Sequence, residues 1–69
     1  MNTLREVGLR FYSLSFSKKS EIAGRLELLE DEDIGQPDHE RFRRAFFRAH
    51  ERGQLDELAG AVHQAEQQG

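Results

Sequence analysis

The stretch LEDEDIGQPDHERFRRAFFR, Leu29 to Arg48, decides how this chain is read. Four consecutive acids, Glu30, Asp31, Glu32 and Asp33, precede a break at Gly35 and Pro37, after which arginines at 41, 43, 44 and 48 alternate with three phenylalanines. Proline suits the first turn of a helix, and Asp38 and Glu40 complement its positive end, so a long helix is expected to start there. Phe42, Ala45, Phe46 and Ala49 recur with the helical period as an inward stripe, and Gly53 is placed to end the helix in a left-handed conformation. At about 100° per residue, Arg41, Arg44, Arg48 and Arg52 form a row on a different face. Phe47 lies about 100° from Phe46 and points away from the inward stripe, between Arg43 and Arg44. It either packs beneath the chain entering or leaving the helix or stands as an aromatic anchor ringed by arginine, a composition that interface hot spots favour.

Helical periodicity extends to both sides of this segment. Leu4, Val7, Phe11 and Leu14 share a face with Gly8, and Thr3 or Asn2 can cap that first helix; Leu9 and Tyr12 fall outside the stripe. Ser17 can cap a second helix, with Ile22, Leu26 and Leu29 inward and Leu28 off the stripe. Leu55, Leu58, Ala59 and Val62 give a last helix, expected to fray over QAEQQG. No strand signal, internal repeat or linker interrupts the pattern. The expectation is an all-α fold, a compact bundle of four to five short helices with room for a sixth, forming a single helical domain over residues 1–69. A chain of this size buries only about 60% of the surface its unfolded form exposes, which leaves little room for a deep pocket.

The 69 residues include no cysteine, so neither disulfides nor thiolate metal ligands contribute, and nothing directs the chain away from the cytoplasm. The first residues lack the basic then apolar order of a secretory signal, and no apolar run is long enough to span a membrane. Charge is strongly segregated: residues 1–25 carry five bases and two acids, 26–40 seven acids and no base, 41–52 five arginines and one acid, and the remainder three acids. The net charge therefore swings through +3, −7, +4 and −3. Acids early and bases late in a helix complement its dipole, and charge runs commonly form solvated faces. Two opposite patches on one small body can also meet on different copies, or on a homologous partner, and such heterologous contacts build rings or open filaments.

SKKSEIAGRLELLEDED, followed by PDHERFRRAFFRAHERGQLDELAGAV, resembles the small bacterial effector-associated domains, the death-like adaptor modules of conflict and GTPase-associated systems. The shared features are an early helix, a basic polar turn into an eIaG.L helix, and a closing helix pair carried here by Phe46 or Phe47, Ala49, Gly53, Leu55, Leu58 and Val62. The resemblance runs from about Leu4 to Ala65 and consists of packing patterns. It implies a death-like fold and a module that joins an effector to its regulator or sensor by like-with-like docking. Death folds generally have six helices, so Leu29 to Gly35 would hold a short fifth and one corner would be abbreviated.

Other function classes find less support. SEIAGRL is similar to the first helix of a helix-turn-helix, but Glu27 stands where a turn glycine is expected, and the would-be recognition segment, Leu28 to Asp33, is acidic and would be repelled by phosphate. His39, His50 and His63 are 11 and 13 residues apart, which is no metal-ligand spacing. Asp31, Asp33 and Gly35 lack the fifth-position ligand and the glycine register of a calcium loop. Ser13, Ser15, Ser17 and Ser20 have no base placed to activate them, and the glycines form no phosphate cradle. The sequence thus predicts a non-catalytic protein-interaction module with no cofactor, metal, small-molecule substrate or membrane partner, the alternative being a helix-turn-helix-like nucleic-acid-binding protein or regulator whose arginine row would meet phosphate. The module's expected contact residues are Glu30, Asp31, Glu32, Asp33, Arg41, Arg43, Arg44, Phe47 and Arg48, the acids and the arginines facing different partners.

Overall fold

The computed structural model describes residues 3–68 as five helices: α1 (Leu4–Tyr12), α2 (Phe16–Arg25), α3 (Asp31–Ile34), α4 (Asp38–Glu51) and α5 (Leu55–Gln67). Met1, Asn2 and Gly69 lie outside the described residues, so a cap at Asn2 does too. Local chemistry sets most boundaries. Thr3 caps α1, its hydroxyl accepting from the Glu6 N–H at 3.1 Å, and Ser13 closes it by donating to the Leu9 carbonyl at 2.8 Å. The cap of α2 is Ser15 rather than Ser17: the Ser15 hydroxyl accepts from the Lys18 N–H at 3.3 Å, so the helix begins two residues earlier than its serine pattern suggested. Pro37 occupies the cap position of α4, with Asp38 and Glu40 in the first turn.

α2 and α4 end alike. After α4, Gly53 adopts φ +72°, the Gly53 N–H bonds the His50 carbonyl, and the Gln54 N–H bonds that of Ala49. After α2, Glu27 adopts φ +56°, its N–H reaches Gly24, and the Leu28 N–H reaches Ala23 at 2.8 Å. Both are the paired closing bonds of a Schellman turn, satisfying carbonyls that the helix leaves unpaired. At Glu27 the turn forms without glycine, against a steric cost of about 1–2 kcal/mol for a side chain in the left-handed region.

That turn overturns the expected stripe of α2. Because the helix stops at Arg25 and the chain reverses, Leu28 swings inward to complete burial, whereas Leu26 and Leu29 are only partly covered. α5 also departs from expectation by continuing through Gln67 instead of fraying from Gln64: Ala65 is buried, its carbonyl accepts from Lys18 Nζ at 2.9 Å, and Arg10 of α1 forms an ion pair with Glu66. The Arg10 bond holds the Glu66 carboxyl below the usual carboxylate range.

α1 packs along α5 and touches α4; α2 lies against α5 and α4; α3 rests on α4. Every residue of the expected α4 stripe is buried, as are Val7, Phe11, Ile22, Ala23, Leu58, Ala59 and Val62. Phe11 and Phe42 meet edge to face at the centre, with ring centroids 6.2 Å apart and an interplanar angle of 84°. The bundle is all-α, and the short fifth helix that the acidic segment could hold is α3.

Candidate protein-interaction surface

The acidic and arginine blocks face each other. Asp33, on the four-residue α3, is fully buried. One carboxylate oxygen accepts from Arg48 at 2.5 Å and from the Glu30 backbone N–H at 2.9 Å, and the other lies 3.5 Å from Arg44. Burial alone would push this carboxyl up; the Glu30 N–H, Arg48 and Arg44 outweigh it and hold the group below the usual carboxylate range. The arginine row also grips the same turn through its backbone. Arg48 donates to the Leu28 carbonyl at 2.5 Å, Arg52 to that of Glu27 at 2.7 Å, and Arg41 to that of Ile34 at 2.9 Å. Glu30 adds weaker contacts to Arg48 at 3.4 Å and Arg52 at 4.0 Å.

Helical geometry explains the grip. Residues at 41, 44 and 48 of α4 and Arg52, its C-cap, stand one above another, a ladder of forked donors along the line where residues 27–36 cross. Little apolar burial holds that segment, since Leu28 is its one fully buried hydrophobic residue and Ile34 is 59% exposed. The ladder is therefore a clamp. The expectation that Asp33 and Arg48 present themselves to a partner is corrected on this ground: Asp33 has no exposed surface, and Arg48 keeps only 18% of its side chain in water. Arg41 and Arg44 are engaged on the same inner side.

Two surfaces outside the clamp bear on docking between copies. The first is the face shared by α1 and α4. Leu4, Leu9, Tyr12 and Phe47 are 38%, 60%, 39% and 47% exposed and lie together on this face. They border a shallow apolar depression floored by Gly8 and Phe46. Gly8 makes it concave, because a Cβ there would lie 3.1 Å from the Phe46 ring. Arg5 lies at the edge of the depression, and the Arg43 guanidinium stacks 5.7 Å from the Phe47 ring. Burial pushes the Tyr12 phenol up, opposed by Arg43 and reinforced by Glu40. Phe47 is thus on the outside, and Leu9 and Tyr12 join it.

The second surface is the outer side of the clamped turn. Asp31 and Glu32 are exposed, Glu30 is half-exposed, and Ile34 projects beside them. Sequence periodicity missed Ile34, since a four-residue helix has no stripe; an isolated isoleucine directly after four acids was the available signal. The α2 to α3 junction also bears on nucleic-acid binding: the would-be recognition helix is four residues long, acidic, and contributes its third residue to the interior.

No helix among the described residues is long and apolar enough to cross a membrane. Among known protein families, a model described as GAAD, GTPase-associated adaptor domain, matches residues 3–64. No curated protein and no solved structure matches the chain. The matched span takes in α1 to α4, the clamped turn, both exposed surfaces and most of α5, and on that extent the chain belongs to the family of GTPase-associated adaptor domains.

Proposed function

We propose that this adaptor domain is a non-catalytic docking module that couples an effector to its partner in a bacterial signalling or defence system, acting in the cytoplasm through death-like contacts between like-folded domains. The contact is heterologous. The apolar face of one copy, Leu9, Tyr12 and Phe47 with Arg5 and Arg43, receives the acidic turn of another, Ile34 with Glu30, Asp31 and Glu32. The carrying observation is that one small body exposes both an arginine-flanked apolar depression and an acid-flanked apolar knob. Such surfaces attract by charge and bury apolar area on contact, so charge sets orientation and encounter rate while Phe47 and Ile34 supply affinity. The clamp has a role in this account: it holds the knob in one geometry before docking, which lowers the ordering cost of association. Because donor and acceptor faces differ, each bound copy still offers one free face, and assembly can continue.

Complementation tests this reading. One variant loses the receiving face through Phe47→Ala and Arg43→Glu; a second loses the knob through Ile34→Ala, Asp31→Lys and Glu32→Lys. Each alone should remain monomeric, and their mixture should form a heterodimer that grows no further. A mixture that stays monomeric, while the unaltered chain associates, refutes the pairing of these two faces.

A further inference from the structure

A second concave surface lies on the other flank of Tyr12, where the end of α1, the start of α2 and the first turns of α4 meet. Phe42 is its floor, with Tyr12, Lys19, His39 and Arg43 around it. Phe16 stands beside the floor, its ring edge-on to Phe42 at 5.6 Å and 72°, and is 49% exposed. Ser15 fixes this arrangement by starting α2 at Phe16, which puts an aromatic residue on the first turn rather than in the core.

The polar groups around the groove are basic. Lys19 Nζ sits over the Phe42 ring, 4.9 Å from its centroid and 3.5 Å from the Tyr12 carbonyl, so a positive charge lies directly against the aromatic floor. Among the described residues, neither Lys19 nor His39 has a carboxylate partner. Arg43 reaches Glu40 at 3.5 Å, but that carboxylate is shared with Arg44 at 3.3 Å. In a chain of net charge −3, this leaves an aromatic trough edged by positive groups.

We propose that the groove over Phe42, edged by Tyr12, Lys19, His39 and Arg43 with the Phe16 ring beside its floor, binds an acidic linear segment of a partner protein, which seats one large apolar side chain on these aromatic rings. Carboxylates flanking that side chain meet Lys19 and Arg43, and the His39 imidazole can donate a further hydrogen bond. Charge complementarity selects the acidic segment, and the half-exposed aromatic rings select the apolar anchor. The site goes beyond docking between like domains: an adaptor that joins two proteins requires two surfaces, and this one shares only Tyr12 and Arg43 with the Phe47 face.

The test is a titration of the isotope-labelled domain with a short synthetic peptide of Asp and Glu around one central Phe, followed by amide shifts and fluorescence anisotropy. Two controls are run alongside: the same peptide with Lys in place of each acid, and a single-stranded oligonucleotide. The expected result is binding with shifts centred on Phe16, Lys19 and His39, weakened about tenfold or more by Lys19→Glu and by Phe16→Ala. Self-association of both variants should be unchanged. His39→Glu, on a solvated turn of α4, provides a further variant should either of those lose helicity. The proposal is overturned by no binding at about 1 mM peptide, a concentration that detects even very weak affinity. It is equally overturned by comparable binding of either control, by shifts centred on Leu9 and Phe47, or by the same Phe16 and Lys19 shifts on raising the concentration of the domain alone, which would make a second copy the occupant.

Discussion

Asp33→Asn isolates the clamp, because it removes one charge while keeping the shape and one acceptor of the side chain. Taking away one partner of a buried ion pair costs about 3–5 kcal/mol. The lower end applies here, since Arg48 retains Glu30 at 3.4 Å and keeps 18% of its side chain in water. The expected loss is about 3 kcal/mol, against a total of roughly 3–10 kcal/mol for a domain of this length. At about 4–8 °C per kcal/mol the melting temperature should fall by roughly 12–24 °C. Urea and thermal unfolding followed by circular dichroism at pH 7 measure both quantities. The pH dependence has a defined sign. The Asp33 carboxyl titrates below its unfolded value of about 4, so its contribution is fully present above that value and is lost as pH falls through the lower, folded one. The gap between the two proteins should therefore hold steady from neutral pH down to about 5 and close below about 4. A loss under about 1 kcal/mol at pH 7, or a gap that does not close in acid, refutes the assignment of the clamp as a stabilising pair.

The two Schellman turns predict opposite responses to exchange at one position. Glu27→Gly should stabilise the domain by about 1 kcal/mol by relieving a left-handed side chain, and Gly53→Ala should destabilise it by about the same amount, both read from urea midpoints at unchanged slope. Truncation after Gln64 removes the buried Ala65, the acceptor of Lys18 and the partner of Arg10, and should cost on the order of 1 kcal/mol by chemical denaturation; an unchanged midpoint would mean that the end of α5 contributes nothing.

Long stripes were legible in the sequence because each is a repeated local signal. Phe42, Ala45, Phe46 and Ala49 report one helix face four times over, and Gly53 marks its end by conformational necessity. Phe47 was legible only as an aromatic residue off that stripe; periodicity leaves open whether it packs beneath the chain or stands outside, and in the structure it is 47% exposed. Leu28 was not, because its burial depends on a single left-handed residue, and glutamate gives no local sign of adopting that conformation. The inward turn of Asp33 was hidden too. Its partners lie 11 and 15 residues away, and the carbonyls that the other arginines take up belong to the backbone, which every sequence shares. Segregated charge pointed instead to acids and arginines facing different partners; that expectation is overturned, because the turn at Glu27 carries the acidic segment across α4 and the two blocks pair within one chain.

Sedimentation velocity of the unaltered domain, across a wide concentration range at low and high salt, tests like-with-like docking most directly. The account predicts association that grows with concentration and disperses at about 1 M salt, where the Debye length is roughly 3 Å, while the clamped fold stays helical. A monomer at every concentration, or association that strengthens as salt rises, would contradict docking between the arginine-flanked face and the acidic turn.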